Sequence, residues 1–136
     1  MTLNTYLTFD GRCKEAFELY AKVLGGTIKT LIPHAGTPAA EHVPANWQDK
    51  VMHAELAVGS QMLMGSDAPP GHSQPKAGFS VSLQVADPAE AERIYNGLIE
   101  GGQVRMPLQE TFWALKFGML TDRFGTPWMI NCGKPM

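Results

Sequence analysis

Cysteine is scarce in this chain, and charge of either sign is thinly spread. Its 136 residues include two cysteines, Cys13 and Cys132, without C-x-x-C spacing, which excludes a disulfide scaffold or zinc knuckle and fits reduced thiols in a cytoplasmic protein. Eleven Lys and Arg against 13 Asp and Glu give a formal net charge of −2 with no basic run, so neither nucleic acid nor an anionic membrane is an expected partner. No apolar run approaches the ~20 residues that cross a bilayer. Residues 1–11 alternate polar and apolar and lack the charged start and oily stretch of an export signal. G-x-x-x-x-G-K-[ST], G-x-S-x-G and H-E-x-x-H are also missing, which removes P-loop, α/β-hydrolase and metallopeptidase chemistry.

What the chain does contain is a pattern written twice. Ala16, Leu19, Tyr20, Val23 and Leu24 ahead of Gly25-Gly26 recur as Ala91, Ile94, Tyr95, Leu98 and Ile99 ahead of Gly101-Gly102, 75 residues later. Each set occupies the i, i+3, i+4, i+7, i+8 positions of one apolar helical stripe. Period-two strands precede both helices, at residues 4–9 and 80–85. Asp87-Pro88-Ala89-Glu90 reads as N-cap, Pro at N1 and Glu at N3, a capping box, while the first helix opens near residues 10–12. A strand follows each double glycine, at 27–32 and 103–107. Then comes a hairpin, 51–58 with 61–64 across Gly59-Ser60, and 113–121 with 127–132 across residues 122–125.

The expected fold class is therefore α+β, with tandem βαβββ modules forming curved mixed sheets around a cup within a single domain, residues 1–136. Module one covers about 1–66, a linker rich in Pro, Gly and Ser covers 67–77, and module two covers about 78–133. Residues 33–50 form a mobile flap or crossover loop. Alternation sends Ala54, Leu56, Val58, Leu7, Phe9, Leu83, Val85, Trp128 and Ile130 beneath the helices. It sends Asn4, Tyr6, Thr8, His53, Glu55, Ser80, Ser82, Gln84, Met129 and Asn131 into the cup, with Trp113, Leu115, Phe117 and Met119 continuing that register. Met62 and Met64 take helix-facing parity as core filler, and Phe112 and Trp128 are assigned to core packing.

A repeated βαβββ module with a glycine turn before the last strand resembles the vicinal oxygen chelate superfamily, which includes glyoxalase I, extradiol dioxygenases and the bleomycin and fosfomycin resistance proteins. The segments Tyr6-Leu7-Thr8-Phe9, Ala16-Phe17-Glu18-Leu19-Tyr20, Glu110-Thr111-Phe112-Trp113-Ala114 and the run from Thr121 to Asn131 are similar to the PhnB branch. Members of that branch often carry a 3-demethylubiquinone 3-methyltransferase label. The chain lacks the glycine-rich strand-to-helix turn of the usual methyltransferase, so the label gains no support. The resemblance also implies a divalent metal held by first-strand and last-strand residues of each module. Those positions fall on Asn4, Ser80, near Leu63 and on Met129, none of them His or Glu, so no metal and no cofactor are expected.

The expected function is metal-free binding of a small metabolite in the cup, with Asn4, Tyr6, His53, Glu55, Ser80, Trp113, Phe117 and Asn131 as ligand-binding residues. His53 and Glu55 are the catalytic candidates, because same-face i, i+2 groups can share a proton. One alternative is a metal-dependent or acid-base lyase or dioxygenase; another is a non-catalytic structural or partner-binding domain. His34, His42 and His72 fall in loops and are read as solvent-facing, and Cys13 near a helix start has no His beside it in sequence. A homodimer is expected, because modules of this size pair and a second chain would cover open sheet edges.

Overall fold

The computed structural model describes residues 1–135. The chain divides into two compact units, Met1–Gln74 and a second that begins at Pro75, and each carries one βαβββ module. Module one runs β1 (Thr5–Phe9), α1 (Cys13–Leu24), β2 (Thr27–Pro33), β3 (Val51–Val58) and β4 (Gln61–Asp67). Module two runs β5 (Val81–Gln84), α2 (Pro88–Ile99), β6 (Gln103–Gln109), β7 (Ala114–Thr121) and β8 (Pro127–Gly133). The sheets have the orders β1-β4-β3-β2 and β5-β8-β7-β6, with the first pair parallel and the others antiparallel. The fold is α+β, two mixed four-stranded sheets that each carry one helix.

The helices form for different local reasons. Asp87 caps α2 from the adjacent residue, its side chain accepting from Ala89 N at 3.1 Å with Pro88 in the first turn. Glu90 does not return to close the expected capping box; its carboxylate takes the Arg93 guanidinium, with Nε at 3.1 Å. Helix α1 has no side-chain cap from Arg12. Asp67 at the far end of β4 does this work instead, its Oδ1 accepting from Gly11 N and Cys13 N, both at 2.9 Å, and its Oδ2 from Val51 N at 2.9 Å. Gly25 ends α1 with φ +70°, the left-handed cap that a side chain resists.

One face of each sheet packs the helix. In module one Leu7, Phe9, Ala54, Leu56 and Leu63 meet Ala16, Phe17, Tyr20 and Val23, all buried. The Phe9 and Phe17 rings meet edge to face at 6.2 Å. Gly65 leaves room for this, since a Cβ there would lie 2.9 Å from the Phe17 ring and 2.8 Å from the Leu7 carbonyl. In module two Leu120, Trp128, Ile130 and Cys132 are buried, as are Ala91, Ile94, Tyr95 and Leu98. Burying each such large side chain is worth about 1.5–3 kcal/mol.

The parity expected for Met62 and Met64 is reversed. Val58 pairs with Gln61 across a two-residue turn, so cross-strand partners are Ala57 with Met62, Leu56 with Leu63, and Glu55 with Met64. Same-face residues on β3 and β4 therefore have opposite parity, and Leu63 faces the helix while Met62 and Met64 join the open face. Phe112 is likewise not core: it precedes β7, is 89% exposed, and touches the Trp113 ring edge to face at 4.8 Å. Trp128 is buried as expected, its Nε1 donating to Asp122 Oδ2 at 2.9 Å.

The segment 33–50 crosses from β2 to β3 and carries 3-10 turns at Pro38–His42 and Ala45–Trp47. His34, read as solvent-facing, is 4% exposed and donates from Nδ1 to the Lys50 carbonyl at 2.9 Å. Gln48 Nε2 ties the turns together through the Ala40 carbonyl at 2.9 Å. Trp47 anchors the segment, its Nε1 donating to the Ala68 carbonyl at 3.0 Å and its ring lying where a Cβ on Gly11 would sit, 2.9 Å away. Trp47→Ala is expected to cost roughly 2 to 3 kcal/mol through lost packing and one unpaired carbonyl. Limited proteolysis checks it: cleavage within residues 34–50 should become faster than in the parent chain.

Candidate functional site

The face of each sheet that does not carry the helix holds the chemistry. On module one, His53 and Glu55 share a face of β3, as their spacing requires. Tyr6 on β1 and Glu55 both stand opposite Met64 of β4. Thr30 joins from β2 because of a bulge: Ile28 pairs with Leu56 and Thr30 with Glu55, so the ladder slips at Lys29 and turns Thr30 to the open side.

These four side chains make a continuous hydrogen-bonded row. Tyr6 Oη lies 3.3 Å from His53 Nδ1, His53 Nε2 lies 3.0 Å from Glu55 Oε2, and Thr30 Oγ1 donates to Glu55 Oε1 at 3.3 Å. The Tyr6 and His53 rings are stacked with centroids 5.8 Å apart. The His53 hydrogen bond holds the Glu55 carboxyl below its usual range, so it is an ionised acceptor near neutral pH. A carboxylate cannot donate, so neutral His53 must carry its proton on Nε2. Its Nδ1 then accepts from the Tyr6 hydroxyl. Tyr6 is 48% exposed, which leaves its oxygen reachable from outside.

On module two, Trp113 Nε1 donates to Asn131 Oδ1 at 3.1 Å, Asn131 Nδ2 to Gln84 Oε1 at 2.7 Å, and Gln84 Nε2 to Ser82 Oγ at 3.3 Å. Phe117 pairs with Asn131 on the same face and meets the Trp113 ring edge to face at 5.2 Å. Phe117 is 7% exposed and Trp113 43%, so the indole is the accessible plate. The odd register expected along β7 holds for Phe117 and Met119, which pair with Asn131 and Met129. The pairing slips between Ala114 and Lys116, which puts Ala114 opposite Gly133.

Of the residues singled out from sequence, Tyr6, His53 and Glu55 are brought together on module one, and Trp113, Phe117 and Asn131 on module two. Asn4 stands just before β1, where it lines a shallow groove of about 480 Å³ together with Gln61, Met62 and Met64. Ser80 stands just before β5. Thr30 was missed: strict alternation from Ile28 puts it on the helix side, and nothing in the residue string marks the bulge at Lys29. Cys13 and Cys132 are both buried, and they form no disulfide.

The donor set does not fit the divalent cation that the fold resemblance implies. Leu63 faces the helix, so the open-face neighbour at that corner is Met64, and the four corner positions offer an amide, a hydroxyl and two thioethers. Hard and borderline cations take carboxylate or imidazole instead. Among the described residues no three His, Cys, Asp or Glu side chains converge as a metal site. No helix among them is long and apolar enough to cross a membrane.

Comparison with known proteins identifies the family and the fold. The 3-demethylubiquinone-9 3-methyltransferase family model matches residues 1–131. Protein YjdN of Escherichia coli strain K12 is 35% identical over 142 residues, spanning 98% of this chain and 97% of that one. The crystal structure of protein PA1353 from Pseudomonas aeruginosa is 49% identical with a TM-score of 0.90, covering 99% of both chains. At the level of fold alone, a putative 3-demethylubiquinone-9 3-methyltransferase, PhnB protein, from Bacillus cereus aligns with a TM-score of 0.82 at 22% identity, covering 98% of this chain and 100% of that one. Fosfomycin resistance protein FosX from Mesorhizobium loti does so at 0.57 and 11% identity, over 98% and 92%. Matched from residue 1 to 131 and by a relative over nearly its full length, the chain belongs to the 3-demethylubiquinone-9 3-methyltransferase (PhnB) family, built on a glyoxalase-like fold.

Proposed function

We propose that the chain binds a small, partly aromatic metabolite on an open sheet face by direct side-chain contact, without a hard cation at the corner positions. The observation that carries this reading is Trp113. Its indole is 43% exposed, yet its N–H is fixed by Asn131 and its ring by Phe117, while Asn131 is itself held by Gln84. An exposed aromatic plate held in one orientation has little freedom left to lose on binding. Packing alone gives no reason for a polar row behind a half-exposed Trp. A planar ligand stacked on the plate would find the Asn131 and Gln84 amides and the Ser82 hydroxyl at its edge.

The methyltransferase named in the family description has little to stand on in this chain. The strand-to-helix junctions, Asp10-Gly11-Arg12 and Ala86-Asp87, are not the glycine-rich turn of a doubly wound sheet that seats the usual methyl donor. Native mass spectrometry of protein taken directly from cell extract tests the binding reading. A co-purifying small molecule is expected, released on denaturation and lost in Trp113→Ala, which weakens stacking by about tenfold or more. A bare polypeptide mass in both forms overturns it. The same spectrum is expected to show two chains per particle.

A further inference from the structure

The hydrogen-bonded row on module one has a direction. With Glu55 ionised and His53 protonated on Nε2, Tyr6 gives its only proton to His53, and its oxygen has acceptor capacity alone to offer a visitor. Met64, which lines the groove of about 480 Å³, stands opposite both Tyr6 and Glu55, so the row lies beside the groove. Its lining is uncharged: Asn4, Ser60 and Gln61 supply amides and a hydroxyl, and Met62 and Met64 supply soft apolar floor. Ile32 stands opposite His53 on the remaining side. A ligand that arrives as an anion meets no cation there, and a ligand without a donor leaves the Tyr6 oxygen unanswered.

We propose that Tyr6, His53 and Glu55 form a proton-accepting seat for a neutral ligand with an acidic hydroxyl, a phenol or enol, lying in the groove over Met62 and Met64. The ligand hydroxyl donates to Tyr6 Oη. As its O–H bond breaks, that proton forms a new O–H on Tyr6, and the former Tyr6 proton forms N–H on His53 Nδ1. The ligand keeps the electron pair as a phenolate or enolate. The imidazolium that balances it is held by Glu55, which Thr30 steadies from the other side. No co-reactant is consumed, and net charge is conserved. The seat requires no ligand on the module-two face.

The test uses the full chain with 4-nitrophenol as probe and 4-nitroanisole as the isostere lacking the hydroxyl proton. The parent protein is expected to bind nitrophenol roughly tenfold more tightly than nitroanisole, the worth of one hydrogen bond. The bound probe should show the phenolate absorption at a pH where the free probe is mostly neutral. Tyr6→Phe keeps the ring stacked on His53 and should abolish the preference with nitroanisole affinity and circular dichroism unchanged. Glu55→Gln should retain binding but lose the phenolate signature. Trp113→Ala should leave the preference intact, which separates this seat from the stacking plate. Equal affinity for the two probes, no binding of either at millimolar concentration, or a preference that survives Tyr6→Phe overturns the proposal. A preference that vanishes in Trp113→Ala but not in Tyr6→Phe overturns it while supporting the module-two reading.

Discussion

Asp67→Ala is expected to destabilise module one by about 4 kcal/mol, because a buried carboxylate that satisfies several backbone donors vanishes and leaves them without that partner. Asp67 is 3% exposed and accepts from Gly11 N, Cys13 N and Val51 N. Those donors come from the start of α1 and the start of β3, so one side chain fastens both ends of the β1-to-β3 stretch to the close of β4. Urea unfolding followed by circular dichroism checks it. Asp67→Asn retains one acceptor oxygen and should lose about half as much. A shift below about 1 kcal/mol for the alanine variant would show that the backbone groups find other partners.

The second large effect is expected at Asp122, a buried carboxylate in the turn between β7 and β8 of module two. It is 3% exposed, and its Oδ1 accepts from Phe124 N and Thr126 N while Oδ2 accepts from the Trp128 indole, all at 2.9 Å. Asp122→Asn turns one acceptor into an NH2 group. With the amide oxygen kept on the backbone donors, that NH2 points at the N–H of the fully buried Trp128, two donors facing each other. A loss of about 2–3 kcal/mol is expected, with altered Trp emission. Trp128→Phe removes the opposing donor, so the double variant should be less destabilised than the sum of the singles. Simple additivity would mean that the Asp122 to Trp128 bond carries no coupling.

Much of this architecture is legible in the residue string. The helical stripes ending at Gly25 and Gly101, the Asp87-Pro88 start and the two hairpins are local signals, each readable within a dozen residues. His53 and Glu55 could be placed on one face because a strand alternates without exception when no bulge intervenes. What escaped depends on register or distance. Met62 and Met64 went to the wrong side because a two-residue turn reverses the parity of facing residues. Thr30 is hidden by the bulge at Lys29, and the slip beside Ala114 leaves no trace in the residue string. Asp67 gave no sign of its role, since its donors lie 16, 54 and 56 residues away in the chain. Trp47 likewise looked like one more aromatic in a loop, whereas it is the bolt that holds residues 33–50 against Gly11 and Ala68.

The unequal helix starts have a consequence for the order in which the chain acquires structure. Helix α2 is begun by its own neighbour Asp87, so it can flicker into existence while the rest of its module is still unformed. Helix α1 has its first turn closed by a residue 54 positions downstream of Cys13, and a ribosome must deliver the whole of β4 before that closure happens. The first-made half of the protein is therefore the half that waits longest for its own helix to be secured, and its nucleus must contain a long loop closure that the later half does without.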